Sequence, residues 1–407
     1  MKKLLVLARG DGYVFNNLAG ESILKDFPVP IVVFAEKINT HVFDGLEGDV
    51  AIEIVRYYDL PNVHARAARL HTEHGLLGIA VLTEESVELA ADMRKKLNLA
   101  GTPPEEAKRF RNKVLMKQVL GAAGVRVPEH AECSDRMHVE RLLTKHGRLV
   151  IKPVDGFGSK EVVFVNSDAE LDAWYDKGKS KGFEAEEYIK GTLYHVNALV
   201  RNGEAILTAS APYLPGMGNI DFSSGAPFVS VMLIAGELKD RLEVFSNDVI
   251  RILGMQDGVT HMEVFLKTDG EIVFCEVGAR PGGGGIVLMI EAQYGINFVR
   301  ASLLLQAGRG DLVTLEQRSP NKMVGLMGFR HTYSSFIVRI AKPEAFNEDW
   351  IHFVKIDKKE GDFIAPSGHC TDFIGLLIFS AADLGEFERQ RVNLQQRFYS
   401  ALETKAV

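Results

Sequence analysis

Two glutamates in one predicted hairpin are the residues of this sequence best suited to chemistry. Residues 261–285 read HMEVFLKTDGEIVFCEVGARPGGGG, and the Asp-Gly pair within them predicts a tight turn between two strands. A two-residue turn places Glu263 directly opposite Glu276, whereas a longer loop makes them diagonal neighbours. Side chains alternate between the faces of a strand, so both registers leave the carboxylates on one face. Their Cβ atoms are then about 4.5–8 Å apart.

Two neighbouring carboxylates repel each other unless a cation lies between them. Carboxylate oxygens suit Mg²⁺, which often uses one or two protein carboxylates together with phosphate oxygens. The alternative is a pair of solvated surface charges, but apolar flanks such as Val264 and Phe274 indicate burial. The sequence therefore predicts a Mg²⁺ site at Glu263 and Glu276, with Mn²⁺ as an alternative ion.

An arginine and four consecutive glycines follow the second glutamate almost at once. The guanidinium of Arg280 offers a planar donor fork for a carboxylate or a phosphate. The glycines permit a ligand to approach the backbone closely. A surface arginine beside a flexible loop is the alternative, but the position next to the carboxylate pair favours a functional Arg280.

A second hairpin places a lysine inside an apolar strand. Residues 148–165 read RLVIKPVDGFGSKEVVFV, with Lys152 in the first apolar run. A buried ammonium group costs free energy unless it finds a partner, and a nucleotide phosphate is the obvious one. Gly156, Gly158 and Ser159 follow in a loop that can bend over phosphates and donate to them. Taken alone, an ordinary hairpin whose lysine reaches water explains the pattern equally well.

Length, charge and cysteine content limit the class of protein. The 407 residues exceed one ordinary core and predict several subdomains. A net charge of −7 disfavours sequence-independent nucleic-acid binding. The three cysteines are far apart, which indicates neither a zinc ribbon nor a disulfide framework. No apolar run approaches the roughly 20 residues that span a bilayer, and no cleavable signal is recognisable, so we expect a cytoplasmic protein.

The first 95 residues alternate short apolar runs with helical patterns. KKLLVLA, PIVVFAE and GIAVLT predict buried parallel strands. Helices are predicted between them at residues 16–27 and 63–75. This arrangement indicates a Rossmann-like open sheet, but the GxGxxG fingerprint of a dinucleotide site is missing.

The rest of the chain divides into four predicted parts, and the whole is a multidomain α/β and α+β protein. Single helices are predicted from Pro104 to Gly124 and over residues 286–308. After the N-terminal domain (1–95), the predicted parts are connecting helices over 96–125, a small α+β lobe over 126–187, a large lobe of long antiparallel strands over 188–310, and a C-terminal subdomain over 311–407.

The order of these motifs resembles the ATP-grasp superfamily over about residues 105–310. A helix lysine, Lys113, precedes the VIKP strand and the glycine loop, and AEEYIKG, HMEVF and EVGARPGG follow. The resemblance implies an ATP-grasp fold, with a small lid lobe and a large lobe built on an antiparallel sheet. In size and domain order the chain is most similar to stand-alone amino-acid (dipeptide) ligases, an argument by analogy.

The resemblance also implies roles for individual residues. Lys113 and Lys152 match lysines that hold the α- and β-phosphates of ATP, Glu263 and Glu276 match Mg²⁺ ligands, and Arg280 matches a catalytic arginine near the acyl phosphate. His195 resembles a histidine near the nucleotide in carboxylase-type members. The implied lid and adenine-binding hinge comprise Gly156, Phe157, Gly158, Ser159, Glu186, Glu187, Tyr188 and Ile189.

The implied activity is that of an ADP-forming carboxylate–amine ligase that acts through an acyl phosphate and joins amino acids or related metabolites. Its partners would be small carboxylates, small amines and a second copy of the chain, with no nucleic acid and no membrane. Two alternatives remain. One is a bicarbonate-activating or purine-type ATP-grasp enzyme, and the other is a nucleotide-binding regulatory protein without turnover.

Overall fold

The computed structural model describes residues 1–9, 15–44, 46, 49–218, 224–315 and 321–407. The strands of this part of the chain are β1 Lys3–Ala8, β2 Ile31–Ala35, β3 Val50–Ile54, β4 Leu76–Val81, β5 His130–Glu132, β6 Leu149–Pro153, β7 Val163–Val165, β8 Phe183–Glu187, β9 Gly191–Arg201, β10 Glu204–Pro212, β11 Phe228–Val231, β12 Gly258–Lys267, β13 Ile272–Gly278, β14 Met323–Phe329, β15 Ser335–Arg339, β16 Ile351–Lys355, β17 Phe363–Ile364, β18 Gly375–Ala381 and β19 Glu403–Ala406.

The helices alternate with these strands through most of the chain. The α-helices are α1 Leu60–His74, α2 Val87–Leu97, α3 Pro104–Ala107, α4 Lys113–Ala122, α5 Arg136–His146, α6 Asp168–Tyr175, α7 Glu237–Leu253, α8 Ile286–Tyr294, α9 Phe298–Gln306 and α10 Leu384–Ala401. Short 3₁₀ helices occupy Lys37–Phe43, Glu84–Ser86, Lys108–Phe110, Gly310–Leu312 and Pro343–Ala345. Within the described ranges, no helix combines the length and the apolar character that crossing a membrane requires.

The N-terminal sheet is parallel, as the apolar runs predict, with the strand order β3-β2-β1-β4. Leu4, Leu5, Val6 and Leu7 of β1 are all fully buried, because helices cover both faces of the sheet. α1 and α2 pack on one face. α8 and α9 pack on the other face and join this sheet to the middle of the chain.

The predicted helix over residues 16–27 is wrong, because this segment forms turns with an isolated bridge between Asn16 and Ser22. The Asn17 side chain accepts a hydrogen bond from the Glu21 amide, and the Ser22 hydroxyl accepts one from the Leu24 amide. Short polar side chains of this kind compete with the backbone hydrogen bonds of a helix.

Each of the two long predicted helices is divided in two. α4 starts anew at Lys113, because the Asn112 side chain caps it by accepting from the Leu115 amide. α8 ends at Gly295, which has a φ of +71°, and Asn297 then caps α9. The first break makes Lys113 the first residue of α4, which places it close to the glycine loop.

Two antiparallel sheets face each other across the middle of the molecule. The smaller has the order β5-β8-β6-β7 and the larger β10-β9-β12-β13. The glycine loop joins β6 to β7 in the smaller sheet, and the two glutamates lie on β12 and β13 of the larger one.

Of the two registers considered for the glutamate hairpin, the structure has Glu263 directly opposite Glu276, although the turn is wider than two residues. Leu266 pairs with Ile272, which leaves a wider loop, and the register shifts between Glu263 and Val264. This β-bulge accommodates one extra residue, Cys275. Without the bulge, Glu263 would face Cys275, and Glu276 would point to the other face of the sheet.

The C-terminal residues complete two further sheets, β11-β14-β18-β16 and β17-β15-β19. β11 comes from the middle of the chain and pairs with β14. α10 packs on this region through Phe387, Leu394 and Phe398, which are fully buried. β11, which lies between β10 and β12 in the chain, is therefore part of a C-terminal sheet.

Candidate nucleotide and substrate site

Two cavities meet at the paired glutamates. The first, of about 270 Å³, lies between the β6–β7 hairpin and the larger middle sheet. The second, of about 280 Å³, opens towards the N-terminal sheet and the C-terminal residues. Five residues line both cavities, namely Phe157, Ser159, Tyr213, Glu263 and Glu276. The predicted metal ligands thus lie on the border between the two spaces.

The first cavity brings together most of the predicted nucleotide residues. Its walls include apolar side chains such as Val150, Phe164 and Phe265, which suit a flat ring. The predicted site residues that line it are Lys113, Lys152, Gly156, Phe157, Ser159, Glu186, Glu187, Tyr188, Ile189, Glu263 and Glu276. Gly158 and Arg280 line the second cavity, and His195 lines neither.

Lys152 is buried and bound to a carboxylate of its own lobe. Its Nζ lies 2.6 Å from Glu186 Oε1. Burial lowers the pKa of Lys152, but nearby carboxylates, Glu186 foremost, outweigh burial and hold that pKa well above its ordinary value. Burial likewise raises the pKa of Glu186, and the charges of Lys117 and Lys152 more than reverse the effect. Both groups are therefore charged at neutral pH.

Lys113 connects the glycine loop to the carboxylate pair. Its Nζ donates to the Gly156 carbonyl and lies 3.4 Å from Glu276 Oε2. Burial raises the pKa of Glu276, but Lys113, Lys152 and Arg280 outweigh it and lower that pKa to about 2. Glu276 is consequently ionised at neutral pH, as a metal ligand must be.

Glu263 is held by an aromatic hydroxyl and lies near a histidine. The Tyr213 hydroxyl donates to Glu263 Oε1 over 2.8 Å. His261 Nε2 lies 3.8 Å from the same oxygen. His261 Nδ1 donates over 2.8 Å to Asn197 Oδ1, which fixes the orientation of the ring.

His195, which was expected near the nucleotide, lines neither cavity. His195 pairs with Glu263 in the strand register, but its side chain is fully buried against the Tyr213 ring. It accepts from Asn197 Nδ2 and donates to the Ser230 hydroxyl over 2.9 Å in each case. Burial and His261 keep the pKa of His195 well below its ordinary value. This neutral imidazole supports Asn197 and does not reach the cavity.

The carboxylate pair fits a Mg²⁺ ion that keeps further ligands from water and phosphate. In the described ranges, no three His, Cys, Asp or Glu residues come close enough to enclose a metal by themselves. Glu263 and Glu276 would supply two oxygen ligands at a point where both cavities meet. Mg²⁺ commonly binds through one or two carboxylates with substrate phosphates rather than in an all-protein cage.

Arg280 projects into the second cavity from the end of β13. Its Nε donates to Glu84 Oε2 over 2.8 Å, and Arg111 Nη1 donates to the other oxygen of Glu84 over 2.8 Å. Burial lowers the pKa of Arg280, but the Glu84, Glu276 and Glu263 carboxylates raise it above its ordinary value. A permanent positive charge therefore lies beside the carboxylate pair.

The second cavity is assembled from three distant parts of the chain. Arg9 follows β1, and Glu84 and Glu85 follow β4. These strands are neighbours whose connections run to opposite sides, the point at which open parallel sheets usually bind ligands. His369 enters from the C-terminal residues, and its Nε2 would lie 1.8 Å from a Cβ added to Gly158.

Sequence patterns alone overlooked several of these residues. His261 had a usable signal, because it lies two residues before Glu263 and therefore on the same strand face. The signal for Glu84 was weaker, because it consists only of an acidic residue shortly after an apolar strand. Tyr213, Lys117 and His369 had none, because only the tertiary structure brings them to the site.

Residues 146–288 match a family model described as an ATP-grasp domain. The chain carries an ATP-grasp domain. It is 25% identical over 348 residues, 79% of each protein, to an L-arginine-specific L-amino acid ligase of Bacillus subtilis.

Solved structures confirm the predicted ATP-grasp fold, and the similarity extends over the whole chain, beyond the residues of about 105–310 that carry the resemblance. An L-amino acid ligase from Bacillus licheniformis superposes with a TM-score of 0.76 at 20% identity, covering 100% of this chain and 99% of that one. The biotin carboxylase domain of Hydrogenobacter thermophilus 2-oxoglutarate carboxylase, solved with MgADP, gives 0.73 at 16% identity, covering 99% and 90%.

Proposed function

We propose that this protein is an ADP-forming ligase that uses ATP and Mg²⁺ to join the carboxylate of one amino acid to the amine of another. The observation that carries the proposal is the position of Glu263 and Glu276 on the border between two cavities. One cavity has the lysines and apolar walls that suit a nucleotide, and the other has room and charge for small polar substrates. Phosphoryl transfer between the two spaces requires such a border.

In the first half-reaction, a carboxylate oxygen of the donor substrate attacks the γ-phosphorus of ATP, the bond to ADP breaks, and an acyl phosphate forms. Lys113 and Lys152 neutralise the nucleotide phosphates. Glu263 and Glu276 would hold Mg²⁺, which supplies charge neutralisation at the transferring group. Phe157 and Ser159 line both cavities, and Gly158 between them lines the second. This loop excludes water, which would otherwise hydrolyse the acyl phosphate.

In the second half-reaction, the amine of the acceptor attacks the acyl carbon. A tetrahedral intermediate forms and collapses, inorganic phosphate leaves, and the nitrogen loses a proton as the amide is completed. The Arg280 guanidinium neutralises the negative oxygens in the second cavity. Fixed charges aimed at a developing oxyanion supply much of the catalysis in such reactions.

Two observations support amino acids as the substrate class. The relative of B. subtilis and the structural neighbour of B. licheniformis are both described as L-amino acid ligases. The second cavity also presents the cations Arg9 and Arg280 together with the acid Glu85, a combination that suits a molecule carrying both a carboxylate and an ammonium group.

The test is a screen of ADP release with Mg²⁺, ATP and pairs of L-amino acids, with mass spectrometry of the products. We expect ADP, phosphate and a dipeptide in equal amounts for at least one pair. ADP release with bicarbonate alone would favour a carboxylating enzyme instead. ATP binding by calorimetry without ADP release from any pair would favour a regulatory nucleotide-binding protein.

A further inference from the structure

Four charged side chains form a buried network beneath the first cavity. Lys117 Nζ lies 2.6 Å from Glu184 Oε1 and 2.5 Å from Glu186 Oε2. Lys152 Nζ lies 2.6 Å from the other oxygen of Glu186. The side chains of Lys117 and Glu184 have 0% exposure, and those of Glu186 and Lys152 have 5% and 9%.

The sequence builds this network from one helix and two strands. Glu184 and Glu186 are two residues apart on β8, so their side chains share a face. Lys152 on β6 pairs with Glu184 in the strand register. Lys117 follows Lys113 by one turn of α4, yet only Lys113 lines the first cavity.

Charge balance explains why a second buried lysine is needed. Two cations and two anions cancel, whereas either carboxylate left unpaired at this depth would be costly. Glu186 gives one oxygen to each lysine. When Lys152 turns towards a ligand in the cavity, Lys117 therefore still neutralises Glu186 and Glu184.

We propose that Lys117 is a positioning residue of the nucleotide site, which frees the Lys152 ammonium group to bind nucleotide phosphates. The proposal rests on the proposed function, because it needs a nucleotide in the first cavity. Without Lys117, two buried carboxylates would hold Lys152 alone and oppose its contact with a phosphate. Removing Lys117 should therefore weaken nucleotide binding and leave the chemical step at Arg280 largely unchanged.

The first experiment compares the wild type with Lys117→Met by calorimetry with Mg²⁺-ATP and by steady-state kinetics. We expect the Kd and KM for ATP to rise at least about tenfold, as losing one partner of a buried charge pair implies. kcat at saturating ATP and the KM for the amino acids should change far less. Lys145→Met is the matched control, because Lys145 pairs with Glu129 on the surface and its side chain is 61% exposed.

The second experiment restores the charge balance. The double variant Lys117→Met/Glu184→Met leaves one cation and one anion, Lys152 and Glu186, and should recover most of the affinity for ATP. A merely structural role would predict that two truncations in one core are worse than one. If Lys117→Met does not fold, the double variant decides: ATP binding near the wild-type affinity supports the proposal, and weak binding overturns it.

Two further results have distinct meanings. Wild-type affinity for ATP in folded Lys117→Met would overturn the role of Lys117 and leave the proposed function intact. Absence of ATP binding by the wild type would overturn the proposed function and, with it, this inference.

Discussion

The two cavities share a border but differ in how their walls are built. The first draws its lysines and carboxylates from residues 113–189 and 263–276, and Lys152 is paired with Glu186 of the same lobe. The second collects Arg9, Glu84, Arg280 and His369 from opposite ends of the chain. The proposed nucleotide cavity is therefore built from motifs that are compact in sequence, whereas the proposed substrate cavity forms only when distant parts of the chain have packed together.

The largest expected effect lies on the border itself. Glu276→Gln keeps the shape of the side chain but removes the charge that both a metal and Lys113 use. We expect turnover to fall by about 10²–10³-fold or more, measured as ADP release in a coupled assay. Glu271→Gln in the same hairpin, with a side chain that is 41% exposed, is the control. Near-normal ADP release by Glu276→Gln would refute the metal assignment.

The next effect should separate the two cavities. Arg280→Met removes the cation of the second cavity that lies beside the carboxylate pair, so kcat should fall about 100-fold while the calorimetric Kd for ATP stays close to the wild-type value. Arg251→Met, at a surface arginine whose side chain is 74% exposed, should change neither quantity. Equal losses in ATP binding and in turnover would mean that the two cavities are one functional unit.

A smaller effect tests the contact between the glycine loop and the C-terminal residues. Gly158 has a φ of +66°, and an added Cβ would collide with His369. Gly178 has a φ of +68° with no atom within 4 Å of an added Cβ, so Gly178→Ala carries the same backbone strain without the collision. We expect kcat/KM to fall about tenfold more in Gly158→Ala, because the loop must shift.

Thermal unfolding provides the control for this pair, because both variants should lose similar stability, about 1–2 kcal/mol from the left-handed backbone alone. Equal activities of Gly158→Ala and Gly178→Ala would show that the glycine loop does not need its position against His369.

The smallest effect concerns one hydrogen bond to Glu263, a proposed metal ligand. Tyr213→Phe removes the hydroxyl that donates to Glu263, which should raise the Mg²⁺ concentration for half-maximal activity about 2–10-fold. Tyr294→Phe is the matched control, because the Tyr294 hydroxyl is buried with no hydrogen-bond partner in the described ranges. An unchanged Mg²⁺ requirement in Tyr213→Phe would mean that Glu263 needs no support from this hydroxyl.

The features that could be predicted from the sequence are those that neighbouring residues determine. Period-two alternation placed Glu263 and Glu276 on one face, and apolar runs predicted the parallel N-terminal sheet. The same locality explains the errors. Asn112, Asn297 and the polar residues after Asn16 redirect the backbone through single side-chain hydrogen bonds, which hydrophobic periodicity does not register.

Contacts between distant residues explain what the sequence could not provide. His195 lies on the correct strand, beside Glu263, yet Tyr213 and Ser230 enclose it. Lys152 was expected to need an anionic partner, and the structure supplies Glu186 before any nucleotide is bound. Which side chain covers or neutralises another depends on packing between elements, and no local pattern records it.

Glu84 has a consequence for how this protein can be divided. This carboxylate comes from the N-terminal part of the chain, yet it accepts hydrogen bonds from Arg111, just before α4, and from Arg280 at the end of β13. A fragment that begins after Glu84 but before Arg111 would leave two guanidinium groups without their shared counter-ion. Residues 146–288 contain Arg280 without Glu84, so any recombination that moved this segment to another protein would have to bring Glu84, and the N-terminal sheet that positions it, along.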